Sequence, residues 1–538
     1  MELPPPVWSV PCDFQMSNYW TMQPAVWAPG VPVEYGQYAA TELFGSHLRF
    51  PRYGSEDLIE KTAEQELEVD FHHDLEQVQI HDNSQIREFE EEVREFKVDM
   101  DMMKMKIHRY PPSLRAFEEW YTVPRMVTMG PYHRARVGDQ MLKKMEKVKY
   151  VAAYNCVKES GHSLEEVYCA VVSAALDARR LYDKDVMEGI GDFDFLSMMF
   201  YDACFLVQYM LWCTRAAGEM DPTMCSFFDF NRKVLRHDLM LLENQLPWQV
   251  LEAVMRFRPV DLADFVSDWR YYLQERKVLE AEDVVLDDSY EPPHLLGFLR
   301  FYYVGRSNIT KPPYSRAKLE SIRVSVSAIE LAEIGITLTA AKETIDLIHM
   351  GVNRRGLLSA ELSLVPLSLD DERASFLLNM VALELCTTPN FLVPEATDED
   401  SAVCSYLLLL SMLVHREEDV QELRTKHLLQ GGGGLINKDA LDFFTKLQSL
   451  PLYGSCYVRV MVDIEKYQVN SQMWTKVHAF LYKNRKTIIK LFSIISVVSS
   501  ILGTLRLEGC MHDSRSISII HARTQVIGLQ GCTKNDST

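Results

Sequence analysis

Two groups of residues in this chain have types and spacing that could do chemistry. Glu243, Asn244 and Gln245 stand side by side in the otherwise apolar run HDLMLLENQLPWQVL, residues 237–251. His133 follows Gly130, Pro131 and Tyr132, directly after Val127-Thr128-Met129. A histidine and an acid can act as general base and acid when they share a pocket within hydrogen-bond reach of a substrate. An enzymatic reading would therefore need His133 and Glu243 together. The structural reading of the same residues is simpler. An acid and two amides in apolar surroundings must find partners, because burying them unpaired costs several kcal/mol. At a helix end before Pro247 they can cap free carbonyls or bind a neighbouring helix. Gly-Pro encodes a turn, which Tyr132 and His133 can staple to the core through hydrogen bonds.

The rest of the chain adds no reactive constellation. It has no G-x-S-x-G, no H-E-x-x-H and no G-x-x-x-x-G-K-[ST]. The run Gly431–Gly434 lacks the Lys-Ser/Thr pair of a phosphate loop and reads as a plain loop. His, Cys, Asp and Glu are scattered without metal-ligand spacing. We therefore expect no catalytic residue, no metal and no cofactor. The 11 cysteines include no C-x-x-C, and reduced, partly buried thiols are expected.

Composition bounds the partners. The 538 residues carry 56 Lys+Arg against 76 Asp+Glu, and 56 − 76 gives a net charge of −20. Neutralising phosphates takes a basic surface, so nucleic acid is not an expected partner. Apolar residues make up 47% and charged residues 25%, ordinary globular values that exclude a disordered or multi-span membrane chain. The opening Met1–Pro6 has neither a basic nor an apolar signal region, so the bulk of the chain is expected in the cytosol.

These groups must be positioned by the elements around them. Residues 1–55, rich in Pro and aromatics, read as a disordered extension. Residues 56–106 read as an acidic, partly helical segment. Its first 46 positions, 56–101, hold 17 acids and 4 bases, a charge of −13, with Ile86, Phe89, Val93 and Phe96 at helical spacing. Residues 107–486 read as one large helical domain, so the fold class is mainly α. Within it, residues 193–212 form a nearly continuous apolar helix central to the core, and residues 402–414 a second core segment. Pro247 suits the first position of a new helix. The alternating run Ile322–Ile329 reads as a strand. Thr487–Leu505 is a 19-residue stretch in which only Lys490 is charged, a candidate transmembrane helix. Lys476, Lys483, Arg485 and Lys486 precede it, which would keep the N-terminal bulk in the cytosol. The alternative is that Leu491–Leu505 packs into the helical core of a soluble scaffold. Residues 506–538 read as a disordered tail.

Taken in order, these motifs resemble the plant family built on domain of unknown function 247. The stretch Val127–His133 is similar to its opening V-[ST]-x-G-P-Y-H. Lys143, Met145, Glu146, Lys149 and Tyr150 resemble the helix that follows, and Asp238–Trp248 matches its D-L-x-L-L-E-N-Q-[LI]-P-[FW] run. Ser327–Leu331, Leu364–Leu367, Asn379–Glu384 and Glu418–Val420 resemble later pieces. The resemblance marks Gly130, Pro131, Tyr132, His133, Glu146, Asp238, Glu243, Asn244, Gln245 and Pro247 as motif residues with a structural or interaction role. It implies a largely helical plant protein with a C-terminal hydrophobic segment and no established enzymatic activity. Some grass members are similar in role to male determinants of self-incompatibility. Protein partners stay unnamed by this reading.

Overall fold

The computed structural model describes Arg87, Val93, Arg94 and most of residues 102–500. Residues 115–116, 118, 135–139, 275–283, 308–325, 342–343, 345, 356–358, 389, 394–395, 431–434, 471–483, 485–486 and 501–538 lie outside the described set. The N-terminal extension, nearly all of the acidic segment, the four-glycine run and the tail therefore fall outside it. All described residues belong to one compact unit, Glu66–Thr538.

The first half is helical. In chain order it holds α1 (Gln140–Ser160), α2 (Leu164–Ala178), α3 (Lys184–Met187), α4 (Asp192–Trp212), α5 (Pro222–Leu239), α6 (Trp248–Met255), α7 (Leu262–Gln274) and α8 (Leu295–Val304). Local signals start several of them. Ser163 and Glu166 form a reciprocal capping box at α2, and Asp221 caps α5 ahead of Pro222. The middle helix α4 carries no Gly or Pro and is apolar along most of its length. It is the one helix among the described residues long and apolar enough to cross a membrane, yet 83% of its most apolar stretch is buried inside the protein. It lies between α1, α2 and α6 as the core helix that continuous apolarity implies.

The second half mixes short strands with helices. It runs α9 (Ala328–Glu333), β1 (Ile336–Ala340), β2 (Gly351–Arg354), β3 (Ala360–Leu364), β4 (Leu367–Ser368), α10 (Asp371–Thr387), α11 (Ala402–Leu413), α12 (Glu417–Thr425), β5 (Leu429–Gln430), α13 (Asn437–Gln448) and α14 (Ser455–Asn470). The three-stranded sheet has the order β1-β3-β2. Ile336 pairs with Ala360 in parallel and Val352 with Leu362 antiparallel. The apolar helix α11 is flanked by α10, α13 and α14, while α10 also packs on α5 and α8. That bridge joins the two halves into one contiguous core. The last described helix, α15 (Thr487–Ser500), stands apart in character, since almost every residue in it is exposed.

Two expectations need correction. The run Ile322–Ile329 is not a strand over its described part. Ser327 accepts from the Glu330 amide, and the Glu330 carboxylate accepts from the Ser327 amide. This capping box starts α9 at Ala328, and the strand begins only after Gly335 turns the chain at φ +90°. The helix before Pro247 also stops sooner than the apolar pattern suggests. It ends at Leu239, residues 240–246 are irregular, and Pro247 is the N-cap of α6, one position before its first turn.

Candidate functional site

The irregular stretch 240–246 would leave buried backbone groups without partners, and the motif side chains supply them. Asn244 donates from Nδ2 to the Asp238 carbonyl at 2.8 Å and to the Val127 carbonyl at 3.0 Å. Its Oδ1 accepts from the Met129 amide at 2.6 Å. Gln245 donates to the carbonyls of Leu239 and Leu241 at 2.8 and 2.9 Å, and accepts from the Leu296 amide at 2.9 Å. Both amide side chains are buried and spend donors and acceptor alike on backbone. They close off the carbonyl end of α5 and tie it to the 127–129 segment and to the start of α8.

Asp238 does the complementary work on donors. It is fully buried, and its two oxygens accept from the amides of Arg125, Met126 and Val127 at 3.0, 2.7 and 2.8 Å. His237 Nδ1 lies 2.8 Å from the same carboxylate, and its Nε2 lies 2.6 Å from the Trp120 carbonyl. Leu242, inside the irregular stretch, gives its amide to Asn379 Oδ1 of α10 at 2.8 Å.

The Gly-Pro turn is fixed from three sides. Gly130 has φ +65° and donates its amide to Asp202 of α4 at 2.9 Å. Tyr132 donates its hydroxyl to the Ile107 carbonyl at 2.7 Å and accepts from the Asp183 amide at 3.2 Å. A side chain at position 130 would meet the Tyr182 hydroxyl at 2.9 Å and the Gln245 carbonyl at 3.1 Å. Gly130→Ala therefore combines left-handed strain with a clash against backbone, a loss of about 2 to 3 kcal/mol. Urea unfolding checks this, and an unchanged midpoint would refute it.

Glu146 enters the cluster through Lys149. The Lys149 ammonium, buried between α1 and α4, contacts the Thr128 carbonyl at 2.5 Å, Glu146 at 2.6 Å and Asp202 at 2.7 Å. The ammonium thus donates to Thr128 and Glu146 and pairs with the Asp202 carboxylate. Burial alone would drive that proton off, but Asp202 and Glu146 overcome it and hold the proton more tightly than usual. Burial likewise raises the Asp202 carboxyl above the ordinary carboxylate range, against the pull of Lys149.

His133 and Glu243, the pair of the enzymatic reading, are brought together. Their Nε2 and Oε2 lie 3.7 Å apart, with His133 buried. The other Glu243 oxygen accepts from the Tyr110 amide at 2.7 Å. That oxygen is holding the chain at Tyr110, as Asp238 holds it at residues 125–127. No group of three His, Cys, Asp or Glu among the described residues could hold a metal.

The cluster also reaches His294, which caps α8. Its Nδ1 accepts from the Gly297 amide at 3.2 Å, and Trp248 donates its amide to the Pro293 carbonyl at 2.9 Å alongside. Burial, with a smaller push from nearby His108, drives the His294 imidazole down to about 3. Its pKa is thus lower in the folded chain than in the unfolded one, so protonation favours unfolding. The stability it supports is complete above the unfolded value and is lost as pH falls toward 3. Between pH 7.5 and pH 5 that loss is about 2 kcal/mol. His294→Asn keeps a capping acceptor and should flatten this part of the pH dependence in urea titrations. An identical slope in the variant would rule the assignment out.

All ten motif residues are therefore in one region, where segments 125–133 and 238–247 are clasped to each other and to α1, α4 and α8. Sequence reasoning passed over several members. Asp202 is the one charged residue in the buried part of α4, and a lone acid in such a run must have a partner. That signal was available and points to Lys149. Asn379 opens a stretch that resembles the family, but neither it nor Asp183 gave a local sign of its partner, which is distant in sequence.

The family model described as a plant protein of unknown function, DUF247, matches residues 107–499 of this chain. The chain is also similar to the UPF0481 protein At3g47200 of Arabidopsis thaliana. The two are 22% identical over 353 residues, which is 63% of this chain and 71% of that protein. No solved structure matches it. The clasp lies wholly inside the matched residues, and this chain belongs to the DUF247 family of plant proteins of unknown function.

Proposed function

We propose that this protein is a non-enzymatic, membrane-associated recognition or signalling protein, held by its C-terminal apolar helix with the helical domain in the cytosol. The observation that carries the reading is the exposure of α15. Ile489, Phe492, Ile494, Ile495 and Val497 are 57–68% exposed, and residues 491–500 are all exposed. A helix with apolar side chains in solvent needs a cover; the described helix Thr487–Ser500 is about 21 Å long at 1.5 Å per residue, and the uncharged run continues in the sequence to Leu505. The soluble alternative requires Leu491–Leu505 to pack into the core, and the exposure of Leu491–Ser500 speaks against it. The clasp supports the non-enzymatic part, because Asp238, Asn244, Gln245 and one oxygen of Glu243 are engaged in holding backbone.

Fractionation of cells expressing the full chain and a truncation before Thr487 tests the reading. The full chain is expected in the membrane pellet, resistant to alkaline carbonate, and the truncation in the supernatant. Recovery of both in the supernatant would end the tether.

A further inference from the structure

In a chain of net charge −20, α1 shows an outward stripe without a single acid. Lys143, Lys144, Lys147, Tyr150, Tyr154 and Lys158 are all exposed, Tyr150 by 51% and Tyr154 by 66%. At 100° per residue they fall within about 60° either side of one line along a helix about 31 Å long. The two acids of α1 lie off this line and are engaged elsewhere. Glu146 contacts Lys149, and Glu159 pairs with Arg258 at 2.9 Å. The opposite side of α1, with Leu142, Met145, Ala152 and Cys156, is buried.

We propose that this stripe is a docking surface for an anionic membrane leaflet. The inference rests on the proposed tether and deepens it, by saying which face of the domain turns to the lipid. The complementarity is one of charge and side-chain type. Lysines are drawn to anionic headgroups, and tyrosines sit well at the boundary between headgroup and acyl chain. The helical domain, residues 107–486, has 43 Lys+Arg against 52 Asp+Glu, a net 43 − 52 = −9 that does not draw it to an anionic leaflet, so an acid-free stripe sets its orientation. The tether supplies the local concentration that a weak surface contact needs.

The test uses the full chain with vesicles of neutral phosphatidylcholine, and with vesicles containing about 30% phosphatidylserine. Flotation reads the tether, and acetylation of lysines by a succinimidyl ester, read by mass spectrometry, reads the stripe. Lys233 and Lys466, with side chains 86% and 60% exposed, serve as controls. Protection of Lys143, Lys147 and Lys158 of at least about five-fold over the controls is expected on anionic vesicles. The protection should be lost on neutral vesicles and at high salt. The triple variant K143E/K147E/K158E changes only exposed side chains, and it should float as before but with its Tyr150 and Tyr154 no longer shielded from iodination. Flotation on both lipids with unprotected stripe lysines would overturn the docking surface and leave the tether standing. Protection that is equal on neutral and anionic vesicles would assign the stripe to a protein contact and overturn the proposal. Flotation on anionic vesicles alone, abolished by the triple variant, would support the stripe and overturn the tether. Flotation on neither would overturn both.

Discussion

Asp238→Ala should cost this protein about 4 kcal/mol or more. The carboxylate is fully buried and accepts from three consecutive backbone amides, at 125, 126 and 127, and it also contacts His237. An alanine leaves three donors without their acceptor at a position shut off from solvent. Each orphaned buried donor costs roughly 1 to 3 kcal/mol, against a total stability of about 5 to 15 kcal/mol. Asp238→Asn is the informative companion. Its Oδ1 can keep one or two of the amides, while its Nδ2 sets a donor against a donor, so a loss of about half as much is expected. Soluble yield and urea midpoints check the order. A midpoint for Asp238→Ala within about 1 kcal/mol of the parent would mean that the 125–127 segment is held by packing instead of by this carboxylate.

The position of Asp238 bears on what a sequence can reveal. Asn244 and Gln245 could be read because the reasoning is local. They follow a helix within hydrogen-bond reach of its last carbonyls, and Pro247 forbids the helix from running on. The core helix α4 could be read for a related reason, since no solvated face interrupts Asp192–Trp212. The partners of Asp238 could not, because they lie more than 100 positions away and nothing in TVPRMV marks those amides as donors in need. The three-stranded sheet was missed because its strands are four or five residues long and follow a capping box that turns an apparent alternation into a helix. His133 and Glu243 meet, as the enzymatic reading required, and the other oxygen of the acid accepts from the Tyr110 amide. Spacing alone does not distinguish a catalytic carboxylate from one that holds backbone.

Glu384→Ala should cost nearly as much, through a device in the second half of the fold. Glu384 lies on α10 and is fully buried. Its Oε1 contacts Arg300 Nη2 at 2.6 Å and accepts from the Val403 amide at 3.0 Å, and its Oε2 accepts from the Cys404 amide at 2.8 Å. Those amides belong to the first turn of α11, whose own N-cap, Ser401, makes no side-chain capping bond. A carboxylate from another helix therefore caps α11 and sits at the positive end of its dipole. Removing one partner of a buried pair costs about 3 to 5 kcal/mol, because the other charge is left uncompensated. The double variant Arg300→Met with Glu384→Met separates pairing from capping. A simple ion pair replaced by two apolar side chains should recover almost fully. Here the amides of Val403 and Cys404 still lose their acceptor, so a deficit of about 2 to 3 kcal/mol should remain. Denaturant titrations of the two single variants and the double give the coupling directly. A double variant as stable as the parent would show that Glu384 serves Arg300 alone and that α11 starts without it.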